Sequence, residues 1–506
     1  MKPKKELYPA IISLILMLGG VVYILFHQLG HLPLFPWDES RLAVNSYEMY
    51  REGFSLVPTF FYQPDMWNTK PPLLIWIQTG MFHMLGPTEL ALRIPSALSG
   101  VIICLLIWHY VRRSTGSLIA ATFSGIIPVT IPGFFYFHTC RHGDYDALLT
   151  LLLVAAALTF FTYTQHQNKR GLFFTFVFIT LATLTKSIVG LLIVPALIIW
   201  ALMEQQLITI LFRKQFWLGF LFFLLVTAAY YLGRELINPG YLNAVNLNEL
   251  SGRYFETIEG HRGGFWFFLN NMATFQSPYW IWVVGGLSIP GLLSKERKVM
   301  KITAFSMVSI IVYLFVISIS KTKLIWYTLP VFPFMAITAG TGLYSIWHFI
   351  KEKILPKRSL LASVLFVLSG ASLLISPATR TFSGVPYLWT ESWDHTFLEV
   401  EYFLREAIEG EHDLNNIHIL RDKLAQRTVF YTHQLNDQNK NIQYLNKVPA
   451  IEPGQRVIVF NEQQMDSIMA CYTFLYHEKR YHSFHFIEIE DYLCTHNQSI
   501  DYGATD

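Results

Sequence analysis

Charge is scarce in this chain. Only 14% of its 506 residues are Asp, Glu, Lys or Arg, whereas 53% are hydrophobic and 40 are Phe, so the chain is dissolved mainly in lipid. A net charge of +3 gives no footing for a nucleic-acid partner. Four cysteines are too few for a disulfide scaffold: Cys104 falls inside an apolar run and Cys140 near the end of one, while Cys471 and Cys494 could pair if the tail lies outside the cytoplasm. There is no zinc-type ligand spacing, no internal repeat, no low-complexity tract and no Gly-rich phosphate loop in the outer segments. A repeat architecture and nucleotide-phosphate chemistry are therefore not expected.

What is present is a succession of apolar runs. In units of about 20 residues they give spans near 8–29, 91–111, 117–136, 147–164, 171–185, 188–204, 215–234, 278–294, 301–320, 325–349 and 359–377, about eleven in all. The first follows Lys2, Lys4 and Lys5 and is succeeded by His31-Leu32-Pro33 rather than a small-residue cleavage site, which predicts an uncleaved signal anchor. Basic connections (Arg112/Arg113, Lys169/Arg170, Arg213/Lys214, Lys295 to Lys301, Lys351 to Arg358) alternate with the loops 30–90, 137–146, 186–187, 235–277 and 321–324. The basic set marks the cytoplasm. Pro72 to Leu85, about 14 residues, is short for a span and is expected in the interface.

Beyond residue 377 polar residues rise, and short β-branched or aromatic runs such as Val457-Ile458-Val459-Phe460 alternate with helix-like segments. The expectation is a membrane domain, 1–377, followed by a small soluble α/β domain, 378–506, outside the cytoplasm.

The polar residues that do occur in outer segments are unusual. Lys70, Lys186, Lys321 and Lys323 lie at the ends of apolar runs on the non-cytoplasmic side, where cations are disfavoured, in company with Asp38/Glu39 and Asp144/Asp146. Misplaced cations beside carboxylates suit an anionic, lipid-borne substrate. Asp38 stands at the start of an expected amphipathic helix, Glu39 to Arg51 ending at Gly53, where it is either an N-cap or a general base for a hydroxyl. Lys70, before Pro71-Pro72, either cradles a phosphate at a helix N-terminus or snorkels to headgroups. Trp67 and Trp76 fit interface anchors better than sugar platforms.

Asp146 either caps a helix beginning at Ala147 or serves the site. Spaced two apart, Asp144 and Asp146 cannot share a helix face, so different jobs are expected, among them orienting the acceptor or holding a divalent cation. Arg141 could pair with either carboxylate or with phosphate through its planar fork. The segment 235–264, with Glu249 and His261, either closes over substrate or is a solvated loop, and His261 also fits an interface position.

As a set, Asp38-Glu39-Ser40-Arg41, Lys70-Pro71-Pro72 with Trp76, Leu92 to Leu98, Asp146-Ala147-Leu148-Leu149, Leu184-Thr185-Lys186-Ser187, and Lys323 with Tyr327, Leu329 and Pro330 resembles the GT-C glycosyltransferases of the family 39 branch. That branch includes protein O-mannosyltransferases and the bacterial transferase that puts aminoarabinose on lipid A. The likeness covers about residues 8–350. It implies an all-α polytopic fold with an active site on the periplasmic side of the inner membrane and a polyprenyl-phosphate-linked sugar as donor. The acceptor is a lipid, glycan or protein group, left open. By that likeness Asp38 falls on the catalytic acidic position, with Glu39 beside it, and Asp146 on the acidic position of the second outer loop. Lys70, Lys186 and either Lys321 or Lys323 approach the donor phosphate, and Arg41, Tyr327 and His261 are substrate-side candidates. Asp144 departs from the pattern as an extra acid. The alternative is a transporter or flippase of a lipid-linked sugar, whose marks are mid-span charges and paired broken helices. Mid-span charges are almost absent here, which favours surface chemistry.

Overall fold

The computed structural model describes residues 4–251, 262–387, 398–421, 426–446, 448–460, 462–480 and 484–493. Two compact units emerge. The first comprises Met1–Gly30 and Glu48–Val385, the second His31–Tyr47 and Pro386–Asp506, so the division falls inside the helix Asp38–Glu52.

The first unit is a helical bundle. Among the described residues eight helices are long and apolar enough to cross a bilayer: Tyr8–Phe26, Glu89–Thr115, Tyr145–His166, Lys169–Leu191, Lys214–Ile237, Arg297–Ile319, Ile325–Ile354 and Leu360–Thr379. The chain is a multi-pass membrane protein. Three further expected spans correspond to shorter apolar helices, Leu118–Thr130, Val194–Met203 and Trp280–Leu292. At about 1.5 Å per residue these cover less than the roughly 30 Å hydrocarbon core. The stretch expected in the interface forms the helix Leu73–Leu85.

Helix ends follow local chemistry. Thr88, Ser117 and Asn168 each accept a backbone amide at the start of a helix, and Gly116 closes the Glu89–Thr115 helix at φ +70°. Arg93 donates to the Leu29 carbonyl at 3.0 Å and Arg141 to those of Ile24 and His27, so two guanidinium groups satisfy the carbonyl end of the first helix.

The second unit is α/β. Of the seven strands among the described residues, β1 (Thr59–Phe60) and β2 (Gln63–Pro64) form a small hairpin in the first unit. The other five, β3 (Ile417–Leu420), β4 (Gln443–Leu445), β5 (Arg456–Val459), β6 (Tyr472–Arg480) and β7 (Phe484–Tyr492), build one sheet in the order β4-β3-β5-β7-β6. β3 is parallel to β4 and β5, and β7 is antiparallel to β5 and β6. Leu420, Val457, Val459, Met465, Ile468, Ile487 and Ile489 fill its core. The segment 31–47 belongs to this unit through side-chain bonds: the Leu34 amide donates to the Tyr431 hydroxyl at 2.8 Å, Tyr47 donates to Asp437, and Arg405 donates to the His31 carbonyl at 2.8 Å.

Candidate functional site

The first unit gathers its polar residues where the helix Tyr145–His166 begins. Asp144 is the capping residue, its carboxylate accepting the Tyr145 amide at 2.6 Å. The alternative that Asp146 caps a helix starting at Ala147 is corrected: the helix starts two residues earlier, which moves Asp146 into the first turn and turns its side chain away from the amides. Asp146 instead accepts from Lys186 Nζ at 2.5 Å, both side chains 3% exposed. The two carboxylates thus take different partners, as their spacing demands, because Asp144 bonds His138 Nδ1.

Burial alone would raise the Asp144 carboxyl. The bond and charge of His138, the charge of Lys186 and the Tyr145 amide outweigh it and hold Asp144 well below the usual carboxylate range. His138, with φ +57°, stacks on Trp326 at 3.8 Å between centroids. Asp144 and His138 supply two ligand atoms, fewer than a divalent cation takes, and the pair alone defines no metal site.

Lys186 ends its helix at a sharp turn. Ser187 adopts φ +52° and donates or accepts with the Tyr231 hydroxyl at 3.0 Å, and the turn Ser187–Leu191 folds back so closely that a Cβ on Gly190 would lie 2.4 Å from the Thr183 amide nitrogen. Only glycine fits there. The Lys186 ammonium also lies 5.4 Å from the centroid of the Tyr327 ring.

Lys70 is 3% exposed, its ammonium 5.7 Å from the Trp67 ring and 5.3 Å from the Tyr145 ring. It has no hydrogen-bond or ion-pair partner among the described residues. The loop before it is tightly held. The Asp65 carboxylate accepts the amides of Trp67 and Asn68 at 3.1 and 3.0 Å, and the Asn68 amide group and the Tyr145 hydroxyl bond each other at 2.9 and 3.1 Å. The Thr69 hydroxyl donates to Glu249 at 3.2 Å.

Lys323 is buried, but its ammonium donates to the carbonyls of Ser318 and Ser320 at 2.7 and 2.9 Å, capping the helix Arg297–Ile319, and burial lowers its pKa from the ordinary lysine value. Lys321 is exposed. Arg141 is spent on the carbonyl end of the first helix. Arg41 is half-buried in the second unit. In that unit Asp38 lies in the first turn of its helix rather than at the cap, half-buried, and the buried Glu39 accepts the Phe35 amide at 2.9 Å. His261 lies outside the described residues, as does Cys494, the partner considered for Cys471. Sequence reasoning missed His138, Asn68, Arg234 and Tyr241. Arg234 alone gives a signal, a cation near the end of a span.

A polytopic bundle with buried acid and lysine residues at its helix ends, joined to an α/β unit, is the GT-C glycosyltransferase fold of the protein-mannosyltransferase and ArnT type. ArnT from Cupriavidus metallidurans superposes with a TM-score of 0.70 in the apo state and 0.66 when bound to undecaprenyl phosphate. The identities are 16% and 15%, with 94% of this chain and 97% of that one covered. Residues 69–231 match the family described as dolichyl-phosphate-mannose-protein mannosyltransferase, a stretch that includes Lys70, Asp144, Asp146 and Lys186. In sequence the chain is similar to an undecaprenyl phosphate-alpha-4-amino-4-deoxy-L-arabinose arabinosyl transferase of Aeromonas hydrophila, 27% identical over 63% of the chain. An uncharacterized protein of Aquifex aeolicus is 24% identical over 65% of the chain. These matches span 58% and 64% of the relatives' own length.

Proposed function

We propose that the chain moves a sugar from a polyprenyl-phosphate donor to a hydroxyl or similar group of a lipid, glycan or protein, at the extracytoplasmic face of the inner membrane. The observation that carries this reading is Lys70: a buried ammonium with no carboxylate partner among the described residues. A buried cation without a counter-ion is costly, and an anionic ligand offsets that cost. The relatives named for an undecaprenyl-phosphate-linked sugar support a lipid phosphate as that anion. They give no support to the transporter reading.

In the mechanism, the acceptor oxygen attacks the anomeric carbon while the bond from that carbon to the phosphate oxygen breaks. The acceptor's proton passes to the Asp38 carboxylate, a role proposed on the family resemblance, and polyprenyl phosphate departs with the bonding electron pair. A single displacement inverts the anomeric centre. Negative charge accumulates on the departing phosphate, so Lys70 is most useful where it binds that charge more strongly in the transition state than before. Lys186, neutralised in the resting site by Asp146, adds a second cation beside the acids.

The test is transfer from a radiolabelled polyprenyl-phosphate sugar. Asp38→Asn should retain expression and donor binding and lose transfer by a factor of about 10² or more. Wild-type turnover in that variant would remove Asp38 from the base role.

A further inference from the structure

Arg234 is fully buried near the end of the helix Lys214–Ile237, has no carboxylate partner among the described residues, and takes no part in the chemistry proposed above. Its fork reaches the loop that carries Lys70. One terminal nitrogen donates to the Asp65 carbonyl at 2.9 Å and to the Asn68 carbonyl at 3.4 Å; the other donates to the Tyr230 hydroxyl at 3.0 Å. The guanidinium lies 3.9 Å from the centroid of the Tyr241 ring, and the Tyr241 hydroxyl donates to the Thr69 carbonyl at 2.8 Å. Three carbonyls of the stretch 65–69 are therefore held by one stacked Arg–Tyr unit. The buried Nε of Arg234 has no hydrogen-bond partner among the described residues.

We infer that Arg234, stacked on Tyr241, is a positioning residue for the donor-phosphate site: it fixes the backbone of residues 65–69 so that the Lys70 ammonium is presented to the lipid phosphate. The inference rests on the reading of Lys70 as a phosphate ligand. The geometry favours it because a planar fork can grip two carbonyls and a hydroxyl at once, which a lysine ammonium on a flexible stem cannot reproduce. The stacking partner doubles as a third grip on the same loop. A fully buried cation is an expensive way to secure a loop if the loop has nothing to hold in place. The next residue in the chain after the last gripped carbonyl is Lys70 itself.

The experiment measures binding of polyprenyl phosphate, without sugar, to the full chain in detergent, for wild type, Lys70→Ala, Arg234→Lys and the double variant. Alongside it, donor KM and kcat are measured, and thermal unfolding is followed for each protein. Arg234→Lys should weaken phosphate binding about tenfold and lower donor kcat/KM by a similar factor or more, split between KM and kcat in the same proportion as in Lys70→Ala. Tyr241→Phe, which removes only the hydroxyl that grips Thr69, should move the same quantities by about threefold and leave the fold intact. In the Lys70→Ala background, Arg234→Lys should add almost nothing to the loss of binding, because it acts through the lysine that is gone. Wild-type binding with Arg234→Lys and Tyr241→Phe both unchanged overturns the role, as does a fully additive double variant. Failure of the wild-type chain to bind polyprenyl phosphate overturns the donor reading, and this role with it.

Discussion

At the scale of residues, the site is a balance of buried charges. Lys186→Met removes the partner of a carboxylate that is 3% exposed and leaves Asp146 buried alone. A loss of about 3–5 kcal/mol in stability is expected, visible as a lowered unfolding midpoint, whereas an unchanged midpoint would mean that the pair is solvated. Lys70→Ala has the opposite signature. It takes away a cation with no protein counter-charge among the described residues, so stability should hold or rise while donor KM increases by roughly tenfold or more.

Asp144 predicts a pH effect. Its folded pKa lies below its unfolded value of about 3.9, so its contribution to stability is complete above that value and is lost as pH falls through the folded one. The unfolding midpoint of wild type should therefore fall more steeply below about pH 4 than that of Asp144→Asn. Equal slopes would show that His138 and Lys186 do not hold this carboxylate ionised.

Much of this balance is legible in the amino-acid sequence, because a lysine or an aspartate at the end of an apolar run away from the basic loops stands out whatever surrounds it. Lys70, Asp146 and Lys186 stand out in that way, and all three are buried. What they touch is not legible. Lys323, of the same type and in the same kind of position, spends its protons on two carbonyls of its own helix end, and Arg141 does likewise on another helix. His138 stands within an aromatic run and shows nothing of its bond to Asp144, which depends on a left-handed turn at its own φ.

At the scale of elements, hydropathy locates the helices but not their lengths. Segments expected near 117–136, 188–204 and 278–294 shrink to apolar helices of 13, 10 and 13 residues, as 118–130, 194–203 and 280–292. In the first of them the last four residues, Ile127–Thr130 with Pro128, form a short 3₁₀ turn in place of α-helix. The turn after Lys186 is the element on which the site depends most. Gly190→Ala forces a methyl group against the Thr183 backbone and should cost about 1–3 kcal/mol, and, because the turn anchors Lys186, kcat should drop along with stability. A variant that keeps both would show the turn to be free to relax.

At the scale of the whole molecule, the apolar runs declare a multi-pass bundle and the change of composition near residue 378 declares a second kind of structure. While the helix Ser359–Tyr387 runs on past residue 378, the second unit carries a five-stranded sheet. Nothing in the local pattern hints that residues 31–47 belong with it. Their attachment is made by Tyr431, Asp437 and Arg405, roughly 370–400 positions away along the chain, a separation that no local pattern encodes. Sidedness is the molecular property that the charge pattern predicts. In a variant with its four native cysteines replaced by serine, a cysteine at exposed Lys321 should react with an impermeant thiol reagent added outside intact spheroplasts, and one at exposed Lys295 only after permeabilisation. The reverse pattern would move the site to the cytoplasmic leaflet.

The central claim is that a sugar–phosphate bond is broken and the sugar captured. The most direct measurement reconstitutes the full chain in lipid vesicles with a radiolabelled polyprenyl-phosphate sugar and envelope material from a strain lacking this protein. The expected result is label in a new lipid, glycan or protein product together with an equal amount of released polyprenyl phosphate. Movement of intact donor across the vesicle membrane, with every label still on its lipid phosphate, would contradict it.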